Sequence, residues 1–263
     1  KKMGFNQAVL GSSGGIDSAV VQALATAALG KENVHPVLMP SMFSSDHSVT
    51  DAELLSTNLG NDAITIPIKN IYDTYLDALQ PVFQGKPFNL AEENLQARSR
   101  AVLLMAISNK LGYILLNTSN KSELSVGYST LYGDLCGALS PLGDVYKNQV
   151  YALARYINRN QEIIPNNTII KAPSAELRPG QKDADSLPDY DVLDELLKHY
   201  IEEHKGVDEL ITMGYDQATV HKVVDLVNGS EYKRYQAPPI LRVSTKAFGK
   251  GRIMPLVANY SNK

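Results

Sequence analysis

The chain has 263 residues, 44% of them hydrophobic, and a formal net charge of −3. That length can bury a substantial core in one α/β domain with room for a helical annex, and the mild acidity gives no electrostatic footprint for nucleic acid. No apolar run approaches the roughly 18 residues of a membrane span, and the single cysteine, Cys136, excludes an internal disulfide and fits a reducing cytoplasm.

The chain starts Lys1-Lys2-Met3 rather than at an initiator methionine, as expected of a domain taken from a longer protein. The first predicted strand covers residues 8–10. It runs into Gly11-Ser12-Ser13-Gly14-Gly15-Ile16-Asp17-Ser18, a small-residue turn that opens a helix over 16–29, ended by Gly30. Small residues let backbone N–H groups close on an anion, and the helix N-terminus adds its positive dipole end. Asp17 sets a carboxylate beside that anion site, as a magnesium ion bridging phosphates requires. The turn is neither a GxxxxGK[ST] nor a GxGxxG loop.

A second strand follows over 34–39, a loop over 40–46, and a helix around 48–59 closed by Gly60. Residues 63–68 form a third strand and 71–82 a helix. A long helix spans 90–111, with Asn89 as N-cap and Gly112 as its stop. Residues 113–117 form the fourth strand, then a loop Thr118-Ser119-Asn120-Lys121-Ser122-Glu123. Near-continuous apolar strands alternating with helices predict a doubly wound parallel sheet covered on both faces. In such a sheet the first strand sits at the topological switch point, often beside the fourth, so the loops ending at Ser18 and Glu123 face one crevice.

Beyond Tyr128 the pattern breaks up. Glycine and proline interrupt 133–143, a helix covers 148–158, and 163–173 is irregular. The polar stretch 176–190 carries Pro179, Gly180 and Pro188 and reads as a mobile lid that could order over a nucleotide and exclude water. Helices follow over 192–204, 207–213 and 217–226, and the tail 237–263 holds a short β-like run at 241–244. These patterns divide the chain into an α/β core, residues 1–170, and a lid with a C-terminal helical extension, residues 171–263.

The SGGxDS pattern in Gly11–Ser18 resembles the pyrophosphate loop of N-type ATP pyrophosphatases. SNKSELSVGYSTLYGD, ending at Asp134, and SAELRPGQKDADSLPDYDVLD, ending at Asp194, narrow the resemblance to the synthetase domain of glutamine-dependent NAD synthetases. VLMPSMFSSDHS, ENLQARSR and EYKRYQAPP carry it over nearly the whole chain. That family has an adenine nucleotide α hydrolase-like fold and makes NAD from deamido-NAD. The nicotinate carboxylate attacks the α-phosphate of ATP, pyrophosphate leaves, and ammonia displaces AMP from the adenylate. The resemblance therefore implies ATP and Mg²⁺ as cofactors, deamido-NAD and ammonia as substrates, a glutaminase domain in the full-length protein, and a homodimer or higher homo-oligomer.

The site residues implied by the resemblance each face a plainer reading. Asp17 and Glu123 would be magnesium ligands and catalytic, against a helix-terminal carboxylate and a solvated loop acid. Lys147 would reach the ATP phosphates as a catalytic residue, against a surface lysine. Gly11, Ser12, Ser13, Gly14, Gly15, Ile16, Asp17 and Ser18 would cradle ATP, with Thr118 and Ser174 adding hydroxyls; a helix or turn cap competes for Thr118. Met39 would frame adenine, although core packing is the commoner role of methionine. Arg98, Glu123 and Lys233 would contact deamido-NAD; a surface salt bridge competes for Arg98 and a solvated basic patch for Lys233. Leu131 and Ala138 stand where an ammonia-using relative has a lysine and an aspartate, so those two contacts do not transfer. Cys136 has no glutaminase context and is expected to be a small buried thiol. Rival readings are a GMP synthetase-like or tRNA-modifying ligase and a non-catalytic nucleotide-binding module.

Overall fold

The computed structural model describes residues 4–257. Strands β1 (Ala8–Gly11), β2 (Val34–Leu38), β3 (Ile64–Thr65) and β4 (Ile114–Leu115) form one parallel sheet in the order β3-β2-β1-β4. Ala8 lies opposite Val34 on one side and Ile114 on the other, so β1 is central and the chain reverses its winding between β1 and β4. The crevice opens where Gly11 and Leu116 leave the sheet. Strands β3 and β4 are shorter than the expected 63–68 and 113–117. Ladder-like backbone bonds nevertheless run on, from Ile66 N–H to the Leu38 carbonyl and from Leu116 N–H to the Val9 carbonyl.

Helix α1 (Ile16–Leu29) matches its predicted bounds and α2 (Asp46–Leu59) starts two residues early, capped by the Ser45 hydroxyl. Helix α3 spans Lys69–Phe83 and α4 spans Leu90–Leu111, the latter closed at its start by an Asn89–Glu92 capping box. Helix α5 (Lys121–Val126) stands where the sequence suggests only a loop; Asn120 and Glu123 form its capping box. Helix α6 covers Lys147–Ile157, and α7 (Asn166–Ile170) occupies part of the stretch expected to be irregular. After a single 3-10 turn at Asp183–Asp185 come α8 (Tyr190–Ile201), α9 (Val207–Thr212), α10 (Gln217–Gly229) and α11 (Glu231–Arg234). The tail pairs at Ile240 with Ser140 rather than forming a strand over 241–244. The opening Lys1-Lys2-Met3 and the end of the tail, 258–263, lie outside the described residues. Among the described residues no helix is long and apolar enough to cross a membrane.

Among the described residues the core has three apolar clusters. One sheet face packs Ala8 and Leu10 against α1 and α6 through Val20, Val21 and Val150. The other packs Val9, Val37 and Leu115 against Leu104 of α4. The third joins α5 to α8, α9 and α10 through Leu124, Leu193, Leu197, Leu210 and Val223. So α5, directly after the sheet, couples the crevice to the helical annex.

Two polar joints hold these layers. Gly14, at φ +76°, lies so close to α2 that a Cβ there would overlap the Ser48 carbonyl oxygen. The second joint is Lys121, whose side chain is fully buried. Its ammonium donates to Asp144 Oδ1 and Glu202 Oε1 at 2.9 and 2.8 Å, and to Ser244 Oγ and the Lys246 carbonyl. It also stands 4.7 Å from the Tyr146 ring centroid. One charge thus fastens α5, the end of α8 and the tail. Burial alone would raise the Asp144 and Glu202 carboxyls, but hydrogen bonds from Lys121 and its neighbours win and hold both below their ordinary range.

Gly14→Ala should lose about 1–3 kcal/mol of stability from backbone strain, before any cost of moving α2, read as a lower thermal midpoint. Lys121→Met strands the buried Asp144 carboxylate and the half-buried Glu202 and should cost about 3–5 kcal/mol in urea unfolding. Because Asp144 and Glu202 bind protons more weakly folded than unfolded, their contribution is present above the ordinary carboxylate range and is lost as pH falls through the depressed folded values. The wild type should therefore lose stability progressively below about pH 4, with a shallower slope in Lys121→Met.

Candidate active site

The loop from β1 to α1 is shaped before any ligand arrives. Ser12 turns its hydroxyl inward to Gln22 Oε1 at 2.9 Å, and Gln22, fully buried, donates to Ser56 Oγ and Asn61 Oδ1 on the α2 side. The Ser13 and Ser18 hydroxyls lie 3.0 Å apart, and Ser18 Oγ also accepts the Ser13 N–H and donates to the Gly15 carbonyl. No side chain caps α1. Its first N–H groups are therefore available to an anion.

Three elements then bring charge to one point. Lys147 Nζ, at the start of α6, lies 2.6 Å from Asp17 Oδ2 on α1 and 3.3 Å from Glu123 Oε1 on α5. Burial alone would favour a neutral amine at Lys147, but the two carboxylates outweigh it and keep the ammonium charged. Glu123 is pushed above the ordinary carboxylate range, first by burial and then by the Asp17 charge, with Lys147 opposing. Asn120 ties the pair together. Its Nδ2 donates to Asp17 Oδ1 at 2.8 Å, while its Oδ1 accepts the Glu123 N–H at 2.9 Å as the α5 cap.

A brace behind this point sets the position of Lys147. Ser122 Oγ accepts the Lys147 N–H at 2.9 Å and donates to Asp194 Oδ1 of α8, whose Oδ2 accepts the Asn148 N–H at 2.8 Å. The starts of α5 and α6 are thereby sutured through one buried carboxylate. The Tyr190 ring lies 5.3 Å from the Lys147 ammonium.

The point opens into a cavity of about 300 Å³, within the range of small-molecule sites. Its floor is the Gly11–Ser18 loop without Gly14, and its walls include Met39, Arg100, Thr118, Asp134 and Cys136. The thiol of Cys136 is pushed up to about 11, chiefly by burial, so it is no nucleophile near neutral pH. A strap formed by residues 171–177 crosses the cavity. It is fastened at one edge by Glu176, whose carboxylate accepts from Ser45 N–H, Ser45 Oγ and Ser48 Oγ. At the other edge Gln96 donates to the Leu177 carbonyl, and Arg178 pairs with Glu93.

The geometry gathers Asp17, Glu123, Lys147, Thr118 and Ser174 around the loop, with Ser174 on the strap. Gly14 faces α2 instead. Arg98 and Lys233 stand outside the cavity lining: Arg98 Nε donates to the Leu131 carbonyl at 3.1 Å, and Lys233 Nζ to the Gly127 and Ser129 carbonyls at 2.7 Å each. Both hold the turn after α5. Arg100 is the α4 arginine that reaches the cavity, with Nε donating to the Met39 carbonyl. Leu131 packs against the helical core. Sequence reasoning passed over Asn120, Ser122, Asp183 and Asp194; the Asn120-x-x-Glu123 spacing was a readable capping-box signal, while the others carry no local signature.

Two carboxylate oxygens facing one cationic point suit a hard cation such as Mg²⁺. Among the described residues no three or more His, Cys, Asp or Glu side chains converge on a metal position. The remaining oxygens would then come from phosphate and water, the usual pattern for Mg²⁺ at a nucleotide.

The family model described as NAD synthase matches residues 1–237. The glutamine-dependent NAD(+) synthetase of Synechocystis sp. is 56% identical over 97% of this chain. This chain spans about half the length of the curated relatives it matches, 46% in that case. Among solved structures, a glutamine-dependent NAD+ synthetase from Acinetobacter baumannii in complex with ADP is 42% identical, with a TM-score of 0.64 over 99% of this chain and 47% of that one. The NH3-dependent NAD synthetase from Campylobacter jejuni, in complex with nitrate, is 33% identical, with a TM-score of 0.71 over 91% of each chain. With its parallel sheet, its uncapped α1 and its matching sequence over nine-tenths of that length, the chain belongs to the NAD synthase family.

Proposed function

We propose that this chain is the ligase module that amidates deamido-NAD to NAD, splitting ATP to AMP and pyrophosphate, with ammonia as the nitrogen donor. The observation that carries this reading is the Asp17–Lys147–Glu123 bridge, set at the switch point beside the free N-terminus of α1. Relatives named as glutamine-dependent and NH3-dependent NAD synthetases, and the ADP bound to one of them, support it.

A carboxylate is a poor acceptor for ammonia, and adenylation gives it a good leaving group. In this reading the nicotinate carboxylate attacks the α-phosphate of ATP, and negative charge builds on the departing pyrophosphate. The N–H groups of Gly11–Ser18 and the start of α1 receive that charge in a fixed array, so no reorganisation is needed as the bond breaks. Lys147, held charged by its two carboxylates, follows the phosphate oxygens. Thr118 and Ser174 offer hydroxyls to the nucleotide, and Met39 faces the adenine side of the cavity. Asp17 and Glu123 would hold Mg²⁺, which when bound supplies neutralising charge to the phosphates. The strap keeps water from the adenylate until ammonia attacks the acyl carbon and AMP departs. Arg98, Lys233 and Glu123 would contact deamido-NAD; Arg98 and Lys233 also donate to carbonyls of the turn 127–131.

The same reading has residues 1–170 as the ATP-splitting core and 171–263 as lid loop and C-terminal helical extension. It also includes a glutaminase domain in the full-length protein, a homo-oligomer and a cytoplasmic setting. A non-catalytic nucleotide-binding module would have no need for two opposed carboxylates beside the phosphate loop.

The purified chain supplied with ATP, Mg²⁺, ammonium and deamido-NAD should yield NAD, AMP and pyrophosphate in equal amounts. Asp17→Ala should reduce turnover by about 100-fold or more, the scale of losing one preorganised charge contact, while keeping its circular dichroism spectrum. ATP binding without AMP release would favour the binding-module reading.

A further inference from the structure

The strap does not cover the cavity evenly. Its far end is latched, by Glu176 to the cap of α2 and by Leu177 to Gln96 of α4. Its root, Lys171-Ala172-Pro173, has a second face: these three residues and Tyr151 line both the cavity and a separate recess on the outer surface. Arg155 of α6, Ile170 of α7 and Asp191 of α8 border that recess and have no part in the cavity lining. The two spaces therefore share a wall built from α6 and the strap root.

That wall stands at the phosphate end of the cavity. Tyr151 lies four residues after Lys147, one turn further along the same face of α6. Lys147 is the cation of the Asp17–Glu123 bridge, beside the free N-terminus of α1. Burial chiefly suppresses the ionisation of Tyr151, and the charges of Lys147 on the cavity side and Arg155 on the recess side both oppose it. One ring thus stands between two cations.

Positive charge continues outward from there. Lys171 donates one N–H to Ser48 Oγ at 3.0 Å and stands 3.9 Å from Asp51, which leaves its other donors open. Among the described residues Arg155 has no ion-pair partner, and its exposed guanidinium lies 6.0 Å from the Tyr151 ring centroid. Asp191 is the one acid lining the recess among the described residues. Lys147, Lys171 and Arg155 mark a cationic line from the bridge to solvent, walled by Tyr151, Ala172, Pro173 and Ile170. Low-dielectric walls focus the field of such a line on an anion.

In the reaction proposed above, pyrophosphate departs while the adenylate stays shielded from water. Opening the latched end of the strap would expose the acyl phosphate, and pyrophosphate left in place can attack the adenylate and re-form ATP. An anion exit at the strap root avoids both losses. We infer that the recess of Arg155 and the strap root is the exit for inorganic pyrophosphate, which passes Lys171 while Glu176 still latches the strap over the adenylate. This rests on the reading of the chain as an ATP-splitting ligase and adds a site outside the cavity that reading uses.

Deamido-NAD-dependent exchange of labelled pyrophosphate into ATP runs the same passage inward and needs no ammonium. Arg155→Glu reverses the charge at the mouth and should raise the KM for pyrophosphate about fivefold or more, with the KM values for ATP and deamido-NAD within about twofold of wild type. Ile170→Lys, at a position 71% exposed, should lower the pyrophosphate KM about twofold. Both effects should fade at high salt. An unchanged pyrophosphate KM in either variant, or ATP and pyrophosphate KM values rising together in Arg155→Glu, would overturn the exit. Faster exchange after loosening the latch with Glu176→Ala would route pyrophosphate under the far end of the strap and overturn it as well. A wild-type chain without deamido-NAD-dependent exchange would instead refute the functional reading, an outcome distinct from failure of the exit.

Discussion

The ion bridge from Asp17 through Lys147 to Glu123 is the constraint on which the other parts of this structure converge. Each of its three side chains stands at or next to the first turn of a different helix, α1, α5 and α6. Helix N-termini favour the two carboxylates there, but the same geometry forces like charges together, and only a cation between them relieves the repulsion. Much of the surrounding architecture holds those three helix starts in register. Asn120 joins Asp17 to Glu123, Ser122 and Asp194 join α5 to α6, and Lys121 ties α5 to the far end of the annex.

That arrangement explains why the sheet needs its helical annex. The sheet alone supplies β1 and β4 and thus the crevice, but α5 is six residues long and cannot hold its own N-terminus in place. It is fixed because its apolar face enters the third core cluster through Leu124 and Val126, while its polar start is pinned by a buried carboxylate and a buried lysine. Annex and site are one mechanical unit. The strap is attached through Glu176 on the α2 cap and through the buried Gln96 and Glu93 of α4.

Much of this was legible in the sequence, and the reasons differ by element. The β1–turn–α1 unit reads directly, because an apolar run, small residues and an uncapped helix start leave few alternatives; α1 and α4 have their predicted bounds for the same reason, with Gly30 and Gly112 as stops. Placing β1 beside β4 follows from winding rules alone, and the register agrees. Helix α5 was missed although its Asn120–Glu123 box is local, because a loop reading of Thr118–Glu123 already served the switch-point argument. Asp183 and Asp194 were beyond reach. Their roles depend on partners at Tyr190 and at Ser122, and the Asp194 contact spans more than seventy positions. For Arg98 and Lys233 the motif resemblance points at dinucleotide contacts, and the fold adds that both also donate to carbonyls of the turn after α5, which no local signal announces.

We propose that Asp17 and Glu123 form a cation site which Lys147 occupies until metal and nucleotide arrive. Thermal unfolding of Lys147→Met, with and without millimolar Mg²⁺ and no nucleotide, tests it most directly. Removing the ammonium should cost about 3–5 kcal/mol, as expected when a buried pair loses one partner. Mg²⁺ should then recover most of that loss in the variant while leaving the wild type nearly unmoved, through binding to the folded state alone. A variant as stable as the wild type, or one indifferent to Mg²⁺, would contradict the claim.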